Sequence, residues 1–291
     1  MNFLQYETYY ENKSHTMPNF PYNTYLCSIP LDFPEVEMHW HSEAELIVIK
    51  KGRGIIEVDL KSYDVEEGNM LLILPGQLHS IKQKKNHIME YENIIFETSF
   101  LGVNDGDLCG EILMPLFQGK LSHSVKIDEN LSYYENVSRC IERIDKLCSE
   151  KTYGYQLGVK GNLFLFFCNI IQSHTEAAPD VQNGRSIEKI KLILSYISEN
   201  YMHKITTSEA AAACYYSDSH FMRFFKAAMG ESFIQYLNNY RLRIAVQLLL
   251  STNESIIDIA AKTGFENLSY FNRCFKKRFG KTPGQYRNEA K

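Results

Sequence analysis

The 291-residue chain has one tryptophan, eight prolines and no CxxC pair. Its seven cysteines, Cys27, Cys109, Cys140, Cys148, Cys168, Cys214 and Cys274, are scattered and odd in number. That excludes a disulfide framework or a zinc ribbon as the organising feature, and most of the cysteines are expected to be small buried apolar residues. The densest apolar run, LFLFFCNII from Leu163 to Ile171, has less than half of the roughly 20 residues that cross a bilayer. The start, MNFLQYETYYENKSHTMPNF, lacks the basic flank and apolar core of a secretory signal. A cytoplasmic protein without a membrane partner is therefore expected.

What the chain does have is an ordinary hydrophobic share of 44% and enough length for two domains. Its net charge of −4 is divided: from Arg185 onward, 16 Lys and Arg face 9 Asp and Glu, leaving +7 there and −11 in the rest. A basic C-terminal part suits a polyanionic partner, although a merely solvated basic face has the same composition.

Up to about Phe100, short β-rich runs (ELIVIKKG, GIIEVDL, NMLLILP, ENIIFET) alternate with Gly, Pro, Asn and Lys, as in an all-β barrel or sandwich. From Asn130 the period changes. Leu131, Tyr134, Val137, Ile141, Ile144 and Leu147 or Cys148 predict an amphipathic helix, and its heptad-like stripe suits either a dimer interface or packing on the barrel. A second helix, about Tyr155 to Gln172, is apolar nearly all round and is expected to be buried. The domains are thus expected at 1–172, with the barrel to about 128 and helices over about 130–172, and at 187–291, joined by a linker over 173–186.

The C-terminal part repeats itself. Ala210 and Ala260, Phe221 and Phe271, Arg223 and Arg273, Phe225 and Phe275, Lys226 and Lys276, Gly230 and Gly280, and Tyr236 and Tyr286 match at an offset of 50. Each copy reads as a short Ala-containing helix, a tight turn and a longer helix, at about 207–229 and 256–279. TTSE (Thr206 to Glu209) predicts a capping box, Ser217 an N-cap and Gly230 a helix stop. In each longer helix two phenylalanines four apart face inward, which leaves the other face free to enter a major groove. Ser219, Met222, Arg223, Leu268, Ser269, Asn272 and Arg273 are the candidate base contacts; Lys226, Lys276, Lys277 and Arg278 are the candidate phosphate contacts.

IIDIAAKTGFENLSYFNRCFKKRFGKTPGQYR, Ile256 to Arg287, resembles the signature of the AraC/XylS family of bacterial transcription regulators. The likeness covers roughly the last hundred residues. It implies a seven-helix domain with two helix-turn-helix units, double-stranded promoter DNA and RNA polymerase as partners, homodimerisation, and an N-terminal domain that binds a small-molecule effector, frequently a sugar.

Near the start, HWHSEAELIVIKKG sets His39 and His41 on one face of a strand, with Glu45 after a turn and His79 beyond a later strand. This resembles the two cupin motifs, in which HxH, a glutamate and a later histidine bind a divalent metal inside a small β-barrel. The second motif departs from the enzyme pattern, because Pro75 and Gly76 are adjacent. Three imidazoles and a carboxylate suit Zn, Fe, Ni or Mn. Three readings stay open for His39, His41, Glu45 and His79: an effector-pocket lining, a metal site, or histidines satisfied by their neighbours. The fold class expected is α+β, a cupin-like β-barrel with accessory helices followed by an all-α domain. The function expected is that of an effector-controlled transcription regulator, with no catalytic residues and no required cofactor. The alternatives are a cupin metalloenzyme fused to a DNA-binding domain and a metal-sensing regulator.

Overall fold

The computed structural model describes residues 20–102, 108–173 and 181–289. Half of the expected linker, residues 174–180, falls outside them. The chain divides into two compact units, one of them Asn12–Val181 and the other built on Gln182–Lys291.

The first unit contains strands β1 (Tyr22–Ile29), β2 (Glu35–His39), β3 (Ala44–Val58), β4 (Lys61–Glu66), β5 (Met70–Ile73), β6 (His79–Gln83), β7 (Met89–Phe96) and β8 (Lys126–Ile127). All pairs are antiparallel, and β3 belongs to both halves of the sheet. Its first part lies between β7 and β5 in the order β1-β7-β3-β5-β8, whereas its second part lies between β6 and β4, with β2 on the far side of β6. The two-unit α+β class is as expected, a sheet-rich unit followed by a helical one; the sheet itself is open, since among the described strands no pairing closes it.

The two halves meet in the middle of β3. Its register against β7 shifts between Ile49 and Lys51, and Gly52 follows with φ of 80°. A Cβ at Gly52 would stand 1.9 Å from the Ile88 carbonyl oxygen, so only glycine allows this bend. ELIVIKKG and GIIEVDL are therefore parts of one strand, although Gly52 looks like a boundary in the sequence.

Alternation along the strands sorts two cores. Leu46, Val48, Leu72, Ile94 and Phe96 face a helical layer, while Ile47, Ile49, Leu71, Ile73 and Tyr91 pack with Ile56, Val58 and Ile81 of the other part of the sheet. Each such aliphatic side chain contributes about 1.5–3 kcal/mol on burial.

The helical layer is α1 (Leu108–Phe117), α2 (Tyr134–Glu150) and α3 (Tyr155–Gln172). Helix α2 buries Val137, Cys140, Ile141 and Ile144 in its own unit's core, so of the two roles its stripe suits, packing on the sheet is the one it fills. Helix α3 buries Leu163, Phe166 and Phe167 but exposes Leu157 and Leu165, so it is not enclosed all round. Of the cysteines only Cys140 and Cys214 are buried; Cys109 and Cys168 are exposed.

The second unit is helical: α4 (Val181–Asn200), α5 (Thr207–Ala213), α6 (Asp218–Met229), α7 (Phe233–Ser251), α8 (Ile256–Lys262), α9 (Leu268–Phe279) and α10 (Pro283–Glu289). Helix α4 begins inside the segment expected to be linker. Its first turns show no apolar period because Gly184 and Arg185 are exposed; burial starts at Ile190. No helix among the described residues is long and apolar enough to cross a membrane.

Candidate functional site

Two helix-turn-helix units are built from equivalent parts. Helix α5 opens on a capping box in which Thr206 and Glu209 satisfy each other's backbone N–H groups. Helix α6 is capped by Ser217, whose Oγ accepts from the His220 N–H, and stops at Gly230 with φ of 75°. In the second unit Ser255 caps α8, Asn267 caps α9, and Gly280 ends it with φ of 74°. Phe221 and Phe225 pack against Phe233, and Phe271 and Phe275 pack with Phe265 and Tyr286; all four pattern phenylalanines are fully buried.

The opposite faces are open. Ser219, Met222, Arg223 and Lys226 of α6 are exposed, as are Leu268, Ser269, Arg273, Lys276, Lys277 and Arg278 of α9; Asn272 is half-buried. Lys276, Lys277 and Arg278 also occupy the last turn of α9, where cations are favoured by the helix dipole whatever else they do.

The turns differ. In the second unit Gly264 takes φ of 81° under Arg241, and a Cβ there would meet the Tyr201 carbonyl oxygen at 2.2 Å. The first unit puts Tyr215 at φ of 60° in the corresponding turn, with its ring exposed. Arg241 is a buried cation that sequence reading missed: Nε donates to the Tyr201 carbonyl at 2.9 Å and Nη2 to the His203 carbonyl at 2.7 Å. Burial holds its pKa below the usual arginine value.

The first unit gathers His39 from β2, His41 from the loop after it, Glu45 from β3 and His79 from the start of β6. One ligand atom from each lies within 4.8 Å of the others. Glu45 occupies the same face of β3 as Ile47 and Ile49, so it points between the two parts of the sheet. Its Oε2 is 2.9 Å from both His41 Nε2 and His79 Nε2. The His79 contact is short but lacks the alignment of a hydrogen bond, leaving that fully buried nitrogen without a hydrogen-bond partner.

The other ring nitrogens are held from outside. His39 Nδ1 meets the Glu37 carbonyl at 2.8 Å, His41 Nδ1 the Glu43 carbonyl at 3.1 Å and His79 Nδ1 the Gln77 carbonyl at 2.9 Å. A carbonyl only accepts, so each Nδ1 carries a proton and each Nε2 faces the shared centre; the Glu45 carboxylate also only accepts, so the His41 Nε2 hydrogen bond to it at 2.9 Å puts a proton on that nitrogen as well. Burial, reinforced by His79 and His41, holds the His39 pKa well below its ordinary value. Burial alone would raise the Glu45 pKa, but His79 and His41 outweigh it and hold the carboxyl well below the usual range.

Two neighbours escaped the sequence reading. Glu43 is buried with Oε2 3.7 Å from His41 Nδ1; its alternation with Glu45 in HSEAEL was a usable signal. Asn93 lies directly across from Ile47 on β7, buried, and its Oδ1 has no hydrogen-bond partner. Nothing in ENIIFET marks it out.

A family model described as a helix-turn-helix domain matches residues 210–289, and one described as an AraC-like ligand binding domain matches residues 26–103. The chain is 24% identical over 288 residues to the uncharacterized HTH-type transcriptional regulator YdeC of Bacillus subtilis, covering 98% of both proteins. It is 23% identical over 261 residues to the HTH-type transcriptional activator RhaR of Mannheimia succiniciproducens, covering 88% of each. The bifunctional transcriptional activator/DNA repair enzyme AdaA of Bacillus subtilis shares 36% identity over 104 residues, 36% of this chain and 49% of that protein. The two relatives matched over most of their length are thus regulators, and the one named as an enzyme matches in part.

Proposed function

The chain belongs to the AraC/XylS family of transcription regulators, and from that premise we propose that it reads promoter DNA with both helix-turn-helix units under the control of a small molecule held by His39, His41, Glu45 and His79. The observation that carries the DNA half is the pair of recognition helices, each anchored by two fully buried phenylalanines and each exposing an arginine one turn from its start. RNA polymerase and a second copy of the chain are the further partners of this reading. The effector must bind one conformation of the protein better than the other, since equal affinity shifts nothing.

Binding to the DNA upstream of the chain's own gene, titrated against salt, tests it. Affinity falls as salt rises, and Arg273→Ala costs about 1–3 kcal/mol on the preferred sequence only. Equal binding to all sequences at every salt concentration would sink the proposal.

For the effector, a sugar or sugar derivative is the first class to test, because a hydroxyl group can donate to or accept from imidazole nitrogens and can donate to the Glu45 carboxylate. One observation favours a second reading, in which the four side chains hold a divalent metal ion. Three Nδ1–H groups bound to backbone carbonyls turn three Nε2 atoms toward one carboxylate, the outer-shell arrangement that would orient histidine ligands once a metal displaced the proton that His41 Nε2 shares with Glu45. Zn, Fe, Ni or Mn fits this donor set, and the ion would supply a Lewis-acidic anchor for oxygen atoms. Metal analysis of untagged protein and thermal shift against a sugar panel separate the two. Stoichiometric metal that disappears in the His39→Ala, His41→Ala variant supports the ion; metal-free protein stabilised by a sugar supports the hydroxylated effector.

A further inference from the structure

Arg273, on the exposed face of α9, is held in place before any DNA arrives. Its guanidinium carbon lies 5.3 Å from the centroid of the Tyr270 ring, one turn earlier on the same face. Tyr270 is in turn pinned from several directions. Its hydroxyl accepts from Asn238 Nδ2 of α7 at 2.9 Å, its backbone N–H donates to the Asn267 cap at 2.9 Å, and its ring lies 6.1 Å from that of Phe265. The chain Asn238–Tyr270–Arg273 thus ties a base-reading candidate to the long central helix of the unit.

Among the described residues the first unit has no such chain. Fifty residues earlier than Tyr270 stands His220, whose ring packs on Tyr216 at 4.2 Å, and Tyr216 carries the Lys189 ammonium at 4.0 Å. That stack leads back to α4 and leaves out Arg223, which has no ring, carboxylate or hydrogen-bond partner among the described residues. The repeat conserves the two arginines but not their support.

We propose that Tyr270, tied to Asn238, is a positioning residue that sets the plane of the Arg273 guanidinium for two parallel hydrogen bonds to one base, whereas Arg223 lacks such support and contributes affinity with less discrimination. Bidentate base reading requires a fixed plane, and a side chain already held in place loses less freedom on binding. Stacking on the ring face supplies that plane at no cost in charge. The inference rests on the DNA-reading proposal above.

The test starts with the full chain and a random-sequence duplex pool, which defines the preferred sequence and, through Arg273→Ala, the base read by Arg273. Discrimination at that base is the affinity ratio of two duplexes, so it is insensitive to a loss of folded protein. Tyr270→Leu should lower the ratio about two- to fivefold, leave the salt dependence unchanged because no cation is removed, and add nothing on top of Arg273→Ala. Tyr270→Phe, which keeps the ring but not the tie to Asn238, should fall between wild type and Tyr270→Leu. His220→Leu should leave discrimination at every base intact. Tyr270→Leu weakening all duplexes equally, or adding fully to Arg273→Ala, would overturn the proposal while leaving DNA reading in place. A wild-type chain that selects no preferred sequence overturns both.

Discussion

Glu45 Oε2 lies 2.9 Å from His79 Nε2, and neither side chain is more than 3% exposed. A carboxylate so enclosed is compatible with folding only because imidazoles, or a cation among them, compensate its lost hydration. Glu45→Gln removes the charge at constant shape and takes away the carboxylate to which His41 Nε2 donates. The expected loss of unfolding free energy is about 3–5 kcal/mol, read by urea titration. A variant as stable as the parent shows that the anion is not what holds the cluster together.

The bend in β3 makes a second prediction. Gly52→Ala introduces both a positive-φ penalty and a clash with the Ile88 carbonyl. It should lose more than ~2 kcal/mol, whereas Gly119→Ala, at φ of 67° with nothing within 4 Å of the added carbon, should lose about 1–2. Equal losses at the two sites would mean that the close approach to Ile88 is relieved at no cost.

Arg241 offers a third. Two of its three guanidinium nitrogens serve two carbonyls, and a lysine presents a single ammonium. Arg241→Lys should leave one carbonyl unserved and lower stability by about 1–3 kcal/mol. Thermal unfolding of the variant checks it, and an unchanged midpoint would show that the second bond is dispensable.

The basic residues of α9 should separate by role. Lys277→Ala should reduce the slope of log affinity against log salt by about 1 and weaken preferred and random duplexes alike. Arg273→Ala should change the ratio between those duplexes. A sequence-dependent loss in Lys277→Ala would move that residue from the backbone to the bases.

The helix-turn-helix units were legible because their signals are local. Thr206 with Glu209, Ser217, Gly230 and the phenylalanine pairs act within a few residues of one another, and the structure uses each as its type suggests. Helix α3 was legible at both ends, Tyr155 and Gln172, but its environment was not: which side of an apolar helix meets solvent depends on what packs beside it. Helix α1 went unnoticed because Gly110 and Pro115 interrupt its pattern. The α2 stripe looked the same whether it met a second chain or the chain's own sheet. At the buried cluster, HxH, Glu45 and His79 could be picked out by residue type. The direction of each imidazole could not, since it is set by backbone carbonyls of Glu37, Glu43 and Gln77 that any residue would provide.

Strand β3 carries Glu45 near one end and hydrogen-bonds on both sides over most of its length, first to β5 and β7 and then to β4 and β6. In mechanical terms it is a beam clamped at both ends, with its register against β7 broken only between Ile49 and Lys51. A ligand that pulls on Glu45 by a fraction of an ångström meets little compliance within either clamped stretch, so the displacement concentrates at that one joint. The joint lies opposite Tyr91 and Glu90 of β7, midway along β3 between Glu45 and Val58, the residue paired with His79.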